Sequence, residues 1–293
     1  MSHATSLAPR LHEVQCLGSR GLHRMAYAEW GDPQNPKVLV CVHGLSRQGR
    51  DFDVLAQAMA ADYRVVCPDV VGRGRSDWLA DPMGYVIPAY VADMVTLLAR
   101  LDAQTVHWVG TSMGGLIGMG LAALPGSPID RLVLNDVGPT IEWASLQRIG
   151  QYLGQPAHWA TLDEAADALW AISSSFGPHS RAQWLALSAA QLKADGAGFK
   201  PHYDPAIAQA FRAVTPEVAA AGEAMLWASY DQIRCPTLLL RGAESDLLSA
   251  QTAAAMGQRG PRARLFSFEG VGHAPTLVQA DQVAAVRAFL LEP

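Results

Sequence analysis

The sequence predicts an α/β fold with a mostly parallel central sheet, helices on both faces, and a helical segment inserted between two strands. Three observations predict it. Short continuous apolar runs recur along the chain and alternate with segments of helical character. Residues 139–230 interrupt that alternation with Ala-rich amphipathic stretches and no convincing buried strand. One strand–turn–helix junction carries a Gly-x-Ser-x-Gly signature centred on Ser112. The chain has 293 residues, 50% of them hydrophobic and 17% charged, a composition that buries a sizeable core and excludes a disordered chain.

Taken in order, the Glu13–Trp30 region alternates enough to predict a strand or hairpin pair at a sheet edge. Val38–Val42 is apolar at every position, as expected of a parallel strand buried on both faces. Similar runs predict strands at Arg64–Cys67, Val106–Val109, Leu132–Leu134, Thr237–Leu240 and Arg264–Phe268. Helices are predicted at Asp53–Ala61, Tyr90–Leu101, Gly115–Ala123 and Gln279–Leu291. Residues 1–138 and 231–293 then form the core, and 139–230 form a helical cap over the strand ends, where parallel sheets bind ligands. Most of the cap aromatics, among them Trp143, Tyr152, Trp159, Trp170, Phe176, Trp184, Tyr203, Phe211 and Trp227, are expected to build its own core, and a few to line a pocket.

The net charge of −5 and a pI near 6.0 offer no basic surface for nucleic acid or anionic membrane. Met1–Arg10 lacks an apolar stretch behind a positive flank, so no cleaved secretory signal is expected. No run approaches the roughly 18 apolar residues that span a bilayer. Cys41, Cys67 and Cys235 lie in or beside strand-like runs and read as small core residues. With no Cys-x-x-Cys pair and no His/Cys cluster at metal spacing, no metal site is expected, and a reduced, cytoplasmic setting fits.

The chemistry gathers in four places. Gly110-Thr111-Ser112-Met113-Gly114-Gly115 follows a strand and opens a helix, the context of a nucleophile elbow that presents Ser112 at the top of the sheet. His43-Gly44-Leu45-Ser46 ends the Val38–Val42 strand. There the Leu45 N–H, with that of Met113, is expected to form an oxyanion hole, Gly44 to allow a sharp turn, and His43 to brace the loop. Gly270-Val271-Gly272-His273 sets a histidine on a glycine-rich loop late in the chain, where it serves as base to Ser112. His3, His12, His23, His158, His179 and His202 read as surface or cap residues, and His107 as a satisfied core residue. Asp246, in Arg241-Gly242-Ala243-Glu244-Ser245-Asp246, is the favoured carboxylate to orient that base. Asp136 competes for the role because it ends the preceding strand, the other reading being that it braces the hinge into the cap. Arg47, Trp143, Tyr152 and Tyr203 are candidates to face the pocket.

With these residues in place the chain resembles the α/β-hydrolase superfamily over nearly its whole length, in its lidded, lipase- and lactonase-like branch. The resemblance rests on His43-Gly44, on Asp69-Val70-Val71-Gly72-Arg73-Gly74-Arg75-Ser76, on the Ser112 elbow, and on the Asp246 and His273 loops. The Asp69–Ser76 stretch resembles the family's architectural Asp-x-x-Gly-x-Gly-x-Ser loop, which removes Ser76 and Asp77 from the catalytic candidates. His43–Phe52 together with Leu134–Pro139 resembles a bacterial subgroup of generic hydrolases. Haloalkane dehalogenases and epoxide hydrolases use an aspartate nucleophile, whereas position 112 is serine.

The expected reaction is hydrolysis of a small to medium hydrophobic carboxylic ester or lactone through an acyl-enzyme on Ser112, without metal or organic cofactor. A carbon–carbon hydrolase acting on a vinylogous diketone is the alternative, although Leu45-Ser46-Arg47-Gln48 replaces the usual Ser-Gly-Pro-Gly-like stretch. A non-catalytic ligand receptor on the same fold is the reading from another class, and the intact Ser112, Asp246 and His273 oppose it.

Overall fold

The computed structural model describes residues 8–293. His3, and most of the N-terminal stretch read above for a secretory signal, lie outside the described residues. An eight-stranded sheet runs in the order β1-β2-β4-β3-β5-β6-β9-β10. Strands β1 (Arg10–Gly18) and β2 (Gly21–Trp30) form the antiparallel hairpin anticipated for the N-terminal region, with β1 at the edge. β2 also runs antiparallel to β4 (Arg64–Pro68). From there β4, β3 (Lys37–Val42), β5 (Thr105–Thr111), β6 (Ile129–Asn135), β9 (Thr237–Gly242) and β10 (Arg264–Phe268) are all parallel.

The unbroken apolar runs are explained by a core on each face of the sheet. Val38, Val40 and Val42 of β3 enter one core and Leu39 and Cys41 the other, because successive strand side chains point to opposite faces. The first core is closed by α2 (Ile87–Leu101) and α3 (Met113–Ala122), α2 using a helical stripe of Tyr90, Met94, Leu97 and Leu101. The second is closed by α1 (Asp53–Met59) and α10 (Ala280–Leu290) through Leu55, Met59, Val286 and Phe289. All four cysteines are free. Cys16, Cys41 and Cys67 are buried, and Cys235 packs partly buried against the core.

Between β6 and β9 come α4 (Trp143–Tyr152), α5 (Leu162–Ser173), α6 (Arg181–Ala190), α7 (Ile207–Arg212) and α8 (Pro216–Gln232). The Thr161 side chain caps α5, and a Ser180–Gln183 capping box starts α6. The inserted segment also holds a small antiparallel hairpin, β7 (Leu192–Asp195) with β8 (Gly198–Pro201), where the sequence showed no strand. Its strands are four residues long and carry Lys193, Asp195 and Lys200, so no apolar run announces them. The helix α9 (Ala250–Met256), after β9, was likewise not anticipated. Among the described residues no helix is long and apolar enough to cross a membrane.

Candidate active site

The carboxyl ends of β3, β5 and β6 and the loops after β9 and β10 meet at one end of the sheet, where the chain reverses direction across it. Ser112 sits between β5 and α3 with φ 51° and ψ −115°, a left-handed conformation that L residues avoid and that a tight elbow imposes. Its N–H donates to the Asn135 carbonyl at 3.0 Å, and its own carbonyl accepts from Gly115 N–H at 2.8 Å to start the helix. The flanking glycines are required by close approach. A Cβ at Gly110 would overlap the Gly114 carbonyl, and one at Gly114 would overlap the Val42 carbonyl.

His273 Nε2 lies 3.0 Å from Ser112 Oγ, and its Nδ1 lies 2.7 Å from Asp136 Oδ2. This corrects the expectation for the acid: Asp136, not Asp246, meets the imidazole. Asp136 directly follows β6 with φ 56°, and its side chain is 0% exposed. Its N–H donates to the Leu240 carbonyl at 2.8 Å. Its Oδ1 accepts from Gly242 N–H at 2.9 Å and its Oδ2 from Ser245 Oγ at 2.6 Å. The buried carboxylate is thus fully hydrogen-bonded, the condition for keeping a charge inside a protein. Asp246 is 49% exposed and pairs instead with Arg148 across 2.6 Å. The turn after β9 carries it past the imidazole toward α4, where its carbonyl accepts from Ser145 Oγ. Position at the end of β6 was the signal for Asp136. That signal decides only once β6 is known to lie beside β5, with Asn135 opposite Thr111.

The Leu45 and Met113 N–H groups have no hydrogen-bond acceptor among the described residues, as donors reserved for an oxyanion require. The Leu45 loop passes close to Ser112, since a Cβ on Gly44 would stand 3.7 Å from Ser112 Cβ. Gly44 itself has no positive φ and room for that Cβ, so steric necessity does not demand glycine there. His43 braces the loop as anticipated. It is wholly buried, donates from Nδ1 to the Gly44 carbonyl at 2.7 Å, and accepts at Nε2 from Val70 N–H at 2.9 Å. Burial pushes its pKa down to about 3.

Sequence reasoning treated the Asp69–Ser76 loop as architectural, and its hydrogen bonds agree: Asp69 accepts from the N–H groups of Gly49 and Arg75. It missed what Arg73 does there. This guanidinium is 0% exposed and bonds to the Leu45 carbonyl at 2.8 Å, the Val71 carbonyl at 2.8 Å, Tyr90 hydroxyl at 2.9 Å and Met113 Sδ at 3.4 Å. None of these partners is a carboxylate. A permanent positive charge therefore sits behind both residues that offer free N–H groups. Asn135 was also missed: its amide donates to Thr111 Oγ1 at 2.9 Å and the Pro275 carbonyl at 2.8 Å, tying the elbow to the His273 loop.

Ser112 and His273 open into a cavity of about 280 Å³ roofed by the inserted segment, near the lower end of small-molecule sites. Arg47, Tyr152 and Tyr203 line it as anticipated, together with Trp159 and Phe176. Trp143 does not line it and is corrected: nine residues before Tyr152 and five before Arg148, it stands about 180° and 140° round α4 from these cavity-lining residues. Trp170 and Trp184 pack edge to face at 5.0 Å inside the insertion, and Phe211 and Trp227 pack against the main core. Arg47 is held by both oxygens of Asp51, at 2.6 and 2.8 Å. Burial pushes the Asp51 carboxyl up, against the pull of Arg47. The insertion also grips the His273 loop, His179 Nε2 lying 2.8 Å from Thr276 Oγ1.

Of the remaining histidines, His107 meets the Tyr63 hydroxyl at 2.8 Å inside the core, as expected. His23 is a correction: it is buried, with Nε2 2.9 Å from Asp93 Oδ2, because β2 presses that face onto α2. Cys16 joins them, and the donor atoms of the three fall within 4.8 Å of one another. The His23–Asp93 hydrogen bond and the Cys16 Sγ contact with the Asp93 carbonyl tie the hairpin to α2, while the buried His23 Nδ1 has no partner among the described residues.

The model of the alpha/beta hydrolase family matches residues 39–286. The chain belongs to that family. It is a hydrolase. It is 56% identical over 288 residues to the 3-hydroxybutyrate-oligomer hydrolase of Cupriavidus necator, covering 97% of this chain and 98% of that one. Among solved structures it resembles an alpha/beta hydrolase from Novosphingobium aromaticivorans, with TM-score 0.83, 37% identity and coverage of 96% and 98%. A second, from Rickettsia typhi, superposes with TM-score 0.87 at 28% identity over 96% and 98% of the two chains.

Proposed function

We propose that this hydrolase cleaves short oligoesters of a 3-hydroxy acid, of the 3-hydroxybutyrate kind, through an acyl-enzyme on Ser112. The observation that carries the reading is the unbroken hydrogen-bond chain Ser112–His273–Asp136 opening into a small cavity. The similarity to a 3-hydroxybutyrate-oligomer hydrolase supports the substrate class. Ser112 Oγ attacks the ester carbonyl as His273 Nε2 takes its proton, and Asp136 holds the imidazole with Nε2 unprotonated and stabilises the imidazolium. The Leu45 and Met113 N–H groups receive the oxyanion, backed by the Arg73 charge. His273 returns the proton to the departing alkoxide oxygen, then activates the water that releases the acid. Residues 139–230 act as a cap that excludes bulk water and sizes the substrate, with Arg47, Tyr152 and Tyr203 in contact with it.

The test is hydrolysis of a graded series, from p-nitrophenyl acyl esters to 3-hydroxybutyrate dimer and trimer, by wild type and Ser112→Ala. The reading expects turnover of the dimer and trimer that vanishes in the variant, with a covalent acyl adduct seen by mass spectrometry in wild type alone. Turnover surviving Ser112→Ala, or no oligoester cleavage by folded wild type, would sink it.

A further inference from the structure

The cavity contains two arginines in very different states. Arg47 is locked: two of its nitrogens engage both oxygens of Asp51, which also accepts from Gln191 Nε2 at 2.6 Å, in a largely buried cluster. Arg148 of α4 is not. Its Nε and Nη2 both reach a single oxygen, Oδ2 of Asp246, at 3.0 and 2.6 Å. Both partners of that pair are about half exposed, and such exposed pairs contribute little and exchange readily. Arg148 lines the same cavity as Ser112, one helical turn before Tyr152 on the same face of α4, among walls that are otherwise mainly apolar, such as Ile149, Leu169 and Ile172. A guanidinium in apolar surroundings, with only an exchangeable partner, is a receptor for a planar anion.

We propose that Arg148 is the subsite for a free carboxylate on the substrate, so that the acid terminus of an oligoester exchanges with Asp246 on binding. The inference rests on the ester-hydrolase reading of the cavity. It adds a criterion of choice, since esters ending in a free carboxylate are preferred over their neutral counterparts. Asp246, half exposed, returns to water when displaced, so the exchange leaves no buried charge unpaired.

The experiment compares kcat/KM for 3-hydroxybutyrate dimer as the free acid and as its methyl ester, in wild type, Arg148→Gln, Arg148→Lys and Asp246→Asn. The ratio of the two values on one preparation is independent of how much of it is folded. Wild type favours the acid. In Arg148→Gln that preference falls roughly ten- to a hundredfold, carried by a higher KM for the acid, as expected on losing a charge-assisted hydrogen bond. Arg148→Lys recovers part of it. Asp246→Asn, which removes the competing carboxylate, lowers the KM for the acid. Turnover of both substrates with a ratio unmoved in Arg148→Gln overturns the subsite alone. Absence of turnover of both by wild type overturns the hydrolase reading and the subsite with it.

Discussion

Replacing Asp136 by Asn separates the geometry from every alternative carboxylate. Both oxygens of Asp136 receive donors: Gly242 N–H at Oδ1, and Ser245 Oγ with His273 Nδ1 at Oδ2. An amide cannot satisfy that set. With its NH₂ toward Gly242 it faces an N–H. With its NH₂ toward His273 it forces the proton onto Nε2, where it blocks proton transfer from Ser112. Either way the imidazolium loses a fully buried countercharge. The same loss in a Ser-His-Asp triad costs about 10⁴ in kcat, or about 5 kcal/mol of transition-state stabilisation. Asp246→Asn removes half of an exposed pair worth at most about 1 kcal/mol, so kcat on a neutral ester stays within about fivefold of wild type. The assay is steady-state hydrolysis of p-nitrophenyl butyrate, with thermal unfolding to verify that each variant is folded. A crippled Asp246→Asn beside an active Asp136→Asn would refute the reasoning.

Two further outcomes are expected. His43 is neutral and buried, accepting Val70 N–H at Nε2, with its pKa driven from 6.5 to about 3. Its contribution to stability is whole above pH 6.5 and lost as pH falls toward 3, because the unfolded chain takes up the proton first. In urea titrations His43→Gln should flatten the pH dependence of unfolding free energy across that window by up to about 1.4 kcal/mol per pH unit, and an unchanged slope would contradict the assignment. Arg73→Lys keeps the charge but cannot reach the Leu45 carbonyl, Tyr90 and Met113 together. It should lower kcat by about tenfold or more with little change in KM, and a folded Arg73→Lys with wild-type kcat would exclude a role behind the oxyanion.

What the sequence by itself determined is the part written in contiguous residues. Val38–Val42 announces a strand buried on both faces because every residue in it is apolar, and the two core clusters share its side chains alternately. Gly110–Gly115 announces the elbow, since strand, strained turn and helix start follow one another without a break and each demands its own residue type. His273 was legible for the same reason, as the one histidine on a glycine-rich loop between a late strand and the last helix. The partner of His273 is a non-local fact. Asp136 and Asp246 both follow strands and both stand between Ser112 and His273 in the chain. The choice depends on β6 lying between β5 and β9, so that a residue directly at its end reaches across to the histidine. The same holds for Arg73 and Arg148. One is a loop residue in the sequence and becomes a buried cation behind Leu45 and Met113. The other is a polar position in an amphipathic helix and becomes the exchangeable charge in the cavity. Local pattern sets which groups are presented at strand ends and helix faces, and only the order and packing of those elements sets which groups meet.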